Sequence, residues 1–389
     1  MSKIKDSLIV KLLAGVFVGI ILGLMLGRGP IKIILTVKEV LGQFIFFCVP
    51  LVIIGFIAPA ITNLKSNASK MLLVTLLIAY LSSVGAAALS TTGGYAIIPH
   101  LNIQNTAQGL RKLPEVLFKL DIPPVMSVMS ALVLSIVLGL TAVWTKSEHV
   151  DVLLKEFNNM ILQVVEKMIV PILPIFIATT FAGLAYEGSI TRQLPVFLKV
   201  IVIVIVGQFI WMAVLYGIAG LISKKNPAEV FKHYVPAYLT AVGTMSSAAT
   251  MPVALKCARK SAVLDDEIVD FTIPICSTIH LCGSVLTETF FCMTISQILY
   301  GQLPTLGTML LFIALLGIFA VGAPGVPGGT VMASLGIVTS VLGFDTSGVA
   351  LLISIFALQD SFGTACNITG DGAIALMLMG IFKREKVSG

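Results

Sequence analysis

Between Gly348 and Phe382 the chain stays apolar for long enough to cross a bilayer, and the only charges inside that run are Asp360 and Asp371. Asp360, Thr364, Asn367 and Asp371 follow one another at i, i+4, i+7 and i+11. At roughly 100° per residue their side chains share a strip about 60° wide on one helix face. A carboxylate at membrane depth costs about 2.5–3.5 kcal/mol or more unless it has a partner, so two on one strip need an explanation. Two readings account for them: a polar seam joining helices, or a site for cations and a small polar solute.

The rest of the chain has the same character. Only 11% of its 389 residues are charged and 57% are hydrophobic. A soluble domain carries about 25% charged residues, so the sequence reads as an integral membrane protein with several helical spans. The net charge of +6 is spread over loops, without a basic stripe interleaved with aromatics, which excludes a nucleic-acid face. The six cysteines lie mostly in apolar segments without a CxxC pair and read as small buried hydrophobes. No HExxH, Walker or GxSxG motif is present, so no enzymatic constellation emerges. The first apolar run follows Lys3 and Lys5 and continues through Gly27 without a small-residue cleavage site, so it reads as a retained first helix.

Apolar runs predict spans at about 8–27, 33–62, 71–90, 122–144, 152–184 and 195–222, with Pro50, Pro171 and Pro174 as tolerated kinks. Ser90 to Asp121 reads as an external connection. With the N-terminus in the cytoplasm, alternating spans put most lysines and arginines inside, among them Lys3, Lys5, Lys65, Lys70, Lys224, Lys225, Lys383, Arg384 and Lys386. Fewer fall outside, chiefly Arg28, Lys32, Arg111, Lys112 and Arg192, as the positive-inside rule requires. Both termini are therefore expected in the cytoplasm.

The last third departs from simple spans. Val235 to Lys256 (VPAYLTAVGTMSSAATMPVALK) has two arms too short to cross, set around a Ser/Thr/Ala cluster. Thr308 to Leu342 repeats the pattern around VGAPGVPGGTVMAS. Each re-entrant hairpin is followed by a span carrying acids: 268–299 with Glu288, then 348–382 with Asp360 and Asp371. Two interrupted apolar segments at corresponding places in two halves point to a midplane site of the kind inverted-repeat transporters use.

The tips MSSAATMP (Met245–Pro252) and GVPGG (Gly325–Gly329), with Asn367-Ile368-Thr369-Gly370-Asp371, resemble the dicarboxylate/amino acid:cation symporter family. That family includes glutamate transporters and bacterial serine/threonine symporters, and the resemblance runs along the whole chain. It implies an all-α fold of eight transmembrane helices plus two re-entrant hairpins, in a homotrimer working by elevator-type alternating access in a bacterial cytoplasmic membrane. Scaffold spans would be 1–70 (spans one and two) and 122–194 (four and five). Residues 71–121 would hold span three and the external connection; 195–389 would be the transport core, with hairpins at about 227–260 and 305–342.

The resemblance also implies a site. Substrate would lie between Ser246 and Ser247 at the first tip, where helix N-termini attract a carboxylate, and Gly325, Val326, Pro327 and Gly328 at the second. Asp360 matches a residue that binds the substrate's amino group, Asn367 one that contacts substrate, and Thr364 one that shapes the pocket. The departure is Gly363, where acidic-substrate members carry an arginine that grips the side-chain carboxylate. With glycine there, the expected substrate is a small neutral amino acid such as serine, threonine or alanine; an acidic amino acid or dicarboxylate is the alternative.

Asp371 matches a sodium ligand, with backbone groups at Cys276, His280 and Asn367 completing the site and a helix break at Gly370 freeing carbonyls. A second sodium would use carbonyls near Thr278 and the second tip. The resemblance implies a damaged third site, because His280 and Cys282 stand where many members have Asn and Asp, though Tyr80 and Ser83 still offer oxygens. Glu288 matches a glutamate linked to proton coupling in eukaryotic members. With His280 and Ser284 at i−8 and i−4 on one face, it reads either as a proton carrier or as a hydrogen-bonded packing residue, while His280 reads as packing. A cation channel is the alternative of another class, but pores place charge rings along an axis, not between hairpin tips.

Overall fold

The computed structural model describes residues 8–66, 70–101, 111–188 and 190–382. Lys3, Lys5, Lys383, Arg384 and Lys386, on which part of the orientation argument rests, lie outside them. All regular structure among the described residues is helical. Helix α1 spans Leu8–Met25, α2 Arg28–Ser66 and α3 Lys70–Ile97, which a 3₁₀ turn extends to Leu101. After residues 111–127, which carry no regular structure, come α4 (Val128–Thr145), α5 (Glu148–Val164), α6 (Val170–Glu187) and α7 (Ile190–Ser223). The final third holds α8 (Pro227–Phe231), α9 (Val235–Thr244), α10 (Ser247–Ala258), α11 (Asp266–Ile279) and α12 (Cys282–Tyr300). It closes with α13 (Leu306–Gly322), α14 (Gly329–Ser340) and α15 (Thr346–Phe382). Six described stretches are long and apolar enough to cross a membrane: parts of α2, α3 and α7, the α5–α6 pair, the α11–α12 pair, and α15.

Local chemistry explains the boundaries. Ser127, Asp265 and Thr305 cap α4, α11 and α13, each accepting a backbone N–H from the first turn. Between α5 and α6 the helix re-registers through a π turn at Val165–Ile169. Pro171 lacks the N–H that would serve the carbonyl of Lys167, which is where such a turn is expected. The segments expected as hairpins are each two helices joined at a turn: α9 and α10 around Met245–Ser246, α13 and α14 around Ala323–Gly328.

Glycines set how closely α1 and α6 approach. A Cβ on Gly15 would lie 2.5 Å from the carbonyl oxygen of Pro174, while Gly19 and Gly23 meet Ala178 and Ala182 in the same way. The spacing rises together in both helices, so they run parallel with backbones nearly touching, the small-residue packing that replaces hydrophobic drive inside lipid.

Helix α15 is the axis of the molecule. It is buried from Gly348 to Gly380 except at Leu358 and Phe362, which accounts for a sequence apolar on every side. Lys70 Nζ stands 6.0 Å from the ring of Phe382, putting the start of α3 and the end of α15 at one end of the molecule.

Three expectations need correction. The span expected at 268–299 is two helices, broken at His280–Leu281, where His280 is extended (φ −110°, ψ 95°). The break expected at Gly370 is absent: α15 is continuous through it. A break in lipid needs partners for the freed backbone groups, and here those partners stand at His280 instead. Finally, the connection expected from Ser90 begins later, since α3 continues to Ile97; residues 102–110 of it lie outside the described residues.

Candidate functional site

The two hairpin tips touch. Ser246, the N-cap of α10, accepts from Ala249 N–H at 3.2 Å and donates its hydroxyl to the Gly325 carbonyl at 2.7 Å. Ala248 N–H donates to the same carbonyl at 3.2 Å. A Cβ on Gly325 would lie 2.8 Å from the Ser277 carbonyl oxygen and 3.3 Å from Ala248 N, so only glycine lets the second tip come this close to α10 and the end of α11. Ser247 is buried in the first turn of α10; Val326 and Pro327 are half-buried. Gly328, the N-cap of α14, adopts φ +72°, a conformation that favours glycine.

Helix α15 presents its polar strip to different partners. Asp360 Oδ2 accepts the Gly328 N–H at 2.7 Å, tying the strip to the second tip. Thr364 is buried one turn on. Gly363 faces the start of α12: a Cβ there would lie 3.3 Å from Ser284 Cα, N and Oγ, tighter than ordinary packing. Asn367 caps the broken helix. Its Oδ1 accepts from Gly283 N–H at 2.7 Å and Ser284 N–H at 3.2 Å, and its Nδ2 donates to Ser284 Oγ at 2.9 Å. The amide expected to contact substrate is thus engaged on donors that the break would otherwise orphan.

Asp371 stands opposite the break. Its Oδ1 is 2.9 Å from His280 Nδ1, while Oδ2 is buried without a hydrogen-bond partner. A buried carboxylate oxygen left over beside the carbonyl end of α11 suits a hard cation such as Na⁺. Of the other expected contributors, Cys276 is buried and its carbonyl accepts His280 N–H at 2.9 Å; Thr278 is exposed and bonds back to Ile275.

The break at His280–Leu281 takes His280 off the face it was expected to share with Ser284 and Glu288. Ser284 turns to Asn367, and Glu288 Oε1 accepts the Ser334 hydroxyl of α14, leaving Oε2 unpartnered. Of the residues weighed for a third cation, Tyr80 donates to the Ala314 carbonyl at 3.3 Å, Ser83 Oγ is buried without a partner, and Cys282 is fully buried.

Several residues around the site were not singled out by sequence reasoning. Ser82 of α3 binds His280 Nε2 at 2.9 Å, and Gln208 of α7 donates to Thr287 Oγ1 at 2.9 Å. Tyr216 of α7 donates to the Thr369 carbonyl at 2.8 Å, and Ser334 reaches Glu288. The available signal was that each is a polar group within a largely apolar segment.

Residues 8–381 match the model of the sodium:dicarboxylate symporter family. The chain is 29% identical over 241 residues to excitatory amino acid transporter 2 of Mus musculus, covering 60% of this chain and 41% of that protein. It is 28% identical over 226 residues to excitatory amino acid transporter 1 of Homo sapiens, covering 56% and 41%. To the putative sodium-dependent excitatory amino acid transporter glt-6 of Caenorhabditis elegans it is 30% identical over 164 residues, 42% of this chain and 30% of that one. The matched part spans about two fifths of the length of the first two relatives.

Proposed function

We propose, from the premise that this chain belongs to the sodium:dicarboxylate symporter family, that it is a secondary active symporter moving a small neutral α-amino acid together with Na⁺. Serine, threonine and alanine are the substrates in view. The observation that carries this reading is Gly363. An acidic substrate needs a cation for its second carboxylate, and an unpaired buried charge costs several kcal/mol. Between Gly348 and Phe382 the strip offers no Lys or Arg, and position 363 abuts Ser284 so closely that even a Cβ there would need α12 to shift by a few tenths of an ångström.

In this reading Asp360 pairs with the substrate ammonium through Oδ1 while Oδ2 keeps the Gly328 N–H. A charge-assisted bond in a water-poor site favours the amino acid over a plain carboxylate. The first turn of α10, with Ser246 and Ser247, supplies the positive dipole end that attracts the α-carboxylate. Asn367 acts through α12, holding the wall on which Gly363 rests. Na⁺ would be the counter-charge partner that Asp371 Oδ2 lacks, so ion and amino acid would load on one helix and move with it.

Coupling of that kind suits an elevator. We take α3 with α7 to α15 as the moving core, and α1, α2 and α4 to α6 as a scaffold assembled as a homotrimer, with α13 and α14 forming the lid. Glu288, tied to the lid arm through Ser334, is the residue that would carry a proton if H⁺ is also coupled.

The test is a thermal-unfolding panel on purified protein with serine, threonine, alanine, aspartate and glutamate, in NaCl and in choline chloride. Stabilisation by the small neutral amino acids that requires Na⁺ supports the reading. Stabilisation by aspartate or glutamate alone refutes it.

A further inference from the structure

The His280 ring has a more specific place than packing. Because α11 stops at Ile279 and α12 starts at Cys282, His280 leaves the helical path and its imidazole spans two other helices. Nε2 lies 2.9 Å from Ser82 Oγ on α3, and Nδ1 lies 2.9 Å from Asp371 Oδ1 on α15. All three residues are buried, His280 and Asp371 completely. Gly370 makes the room: a Cβ there would sit 2.8 Å from His280 Cε1.

The chemistry of the chain fixes its direction for a neutral ring. A carboxylate only accepts, so Nδ1 must carry the proton and donate to Asp371. Nε2 is then a lone pair, which takes the Ser82 hydroxyl proton. The opposite tautomer would set a ring lone pair against a carboxylate oxygen. Asp371 is thus held by one oxygen, and the other, Oδ2, is left as its single free acceptor.

We infer that His280 is a positioning residue for the coupling cation: it clamps Asp371 Oδ1 so that Oδ2 alone is presented, and Ser82 anchors the far nitrogen of the ring and so holds its orientation. The inference rests on the reading that Asp371 binds Na⁺. It assigns Ser82 and His280 a joint task, and it links α3 to the cation through the ring.

The experiment is a Na⁺ titration of thermal unfolding with the purified full chain, against choline chloride at constant ionic strength, which needs no transport. Ligand binding to the native state raises the melting temperature with a half-saturation that reports affinity. His280→Ala should raise the half-saturating Na⁺ concentration by about 10–100-fold, the usual cost of losing a group that orients a metal ligand. His280→Asn carries an N–H near the Nδ1 position and should recover most of that loss. Ser82→Ala should give an intermediate rise while leaving the Na⁺-free melting temperature close to the parent's. A purely structural ring would lower the Na⁺-free melting temperature without moving the half-saturation, and that outcome overturns the inference, as does equal behaviour of the Ala and Asn variants. Should His280→Ala not fold, an unchanged half-saturation in both Ser82→Ala and His280→Asn overturns it instead. Asp371→Asn separates the two claims: a full Na⁺ response in that variant removes the sodium reading itself, whereas its loss beside an unaltered His280→Ala removes only the role of His280.

Discussion

Gly328 N–H donates to Asp360 Oδ2 at 2.7 Å, so the carboxylate proposed to meet the substrate ammonium also holds the tip between α13 and α14. The contact ties that tip to α15 at Asp360. It also separates two consequences of changing that residue.

Asp360→Asn keeps a carbonyl oxygen able to accept the Gly328 N–H, so the melting temperature should stay near the parent's. The variant loses the charge opposite the substrate ammonium, and breaking a buried pair costs about 3–5 kcal/mol. Serine-induced stabilisation should therefore vanish at concentrations that saturate the parent. Unchanged serine affinity would refute the ammonium role.

Gly363→Ala places a methyl where a Cβ stands 3.3 Å from Ser284 Cα, N and Oγ. Overpacking of this kind costs about 1–3 kcal/mol. A lower melting temperature together with weaker serine binding is expected, because the wall that moves is the pocket's own. A variant indistinguishable from the parent would mean that α12 yields freely and that the close fit does not limit position 363.

Asn367→Ala leaves the Gly283 and Ser284 N–H groups without their acceptor in a buried place, at about 1–3 kcal/mol for such an orphan. Asn367→Asp keeps the oxygen and should unfold closer to the parent than the alanine variant. The reverse order in thermal unfolding would show that capping α12 is not the main work of this side chain.

Gly19→Leu should separate α1 from α6, since the Gly19 Cβ position already falls on the Ala178 backbone. Leu13→Ala, on the exposed side of the same helix, should leave stability near the parent's. Detergent-solubilised melting curves distinguish the two; a tolerated Gly19→Leu would contradict the parallel close packing.

Glu288→Gln retains an acceptor for the Ser334 hydroxyl but cannot carry a proton. If Glu288 couples H⁺, the pH dependence of serine uptake should flatten in this variant. A pH profile that overlays the parent's removes the proton-carrier role and leaves a packing residue.

Much of the architecture was legible because lipid permits few solutions. Apolar length located most of the long helices, and short interrupted arms located the two helix pairs whose tips meet at Ser246 and Gly325. The break was misplaced for a physical reason. Gly370 looked like the weak point, yet it is small because the His280 ring and Leu215 crowd it, and its helix continues. The true break at His280–Leu281 carries neither Gly nor Pro; it is held open by Asn367, 84 residues from Gly283 in sequence. Ser82, Gln208 and Ser334 escaped notice for the same reason. Each has its partner on another helix, and spacing along one segment cannot reveal that pairing.

The central claim is a Na⁺-coupled carrier of small neutral amino acids, and uptake into proteoliposomes tests it most directly. Labelled serine should accumulate under an inward Na⁺ gradient, saturate, and be displaced by excess threonine or alanine but not by aspartate. Aspartate carried better than serine would contradict the Gly363 argument, and serine flux indifferent to the Na⁺ gradient would contradict the coupling.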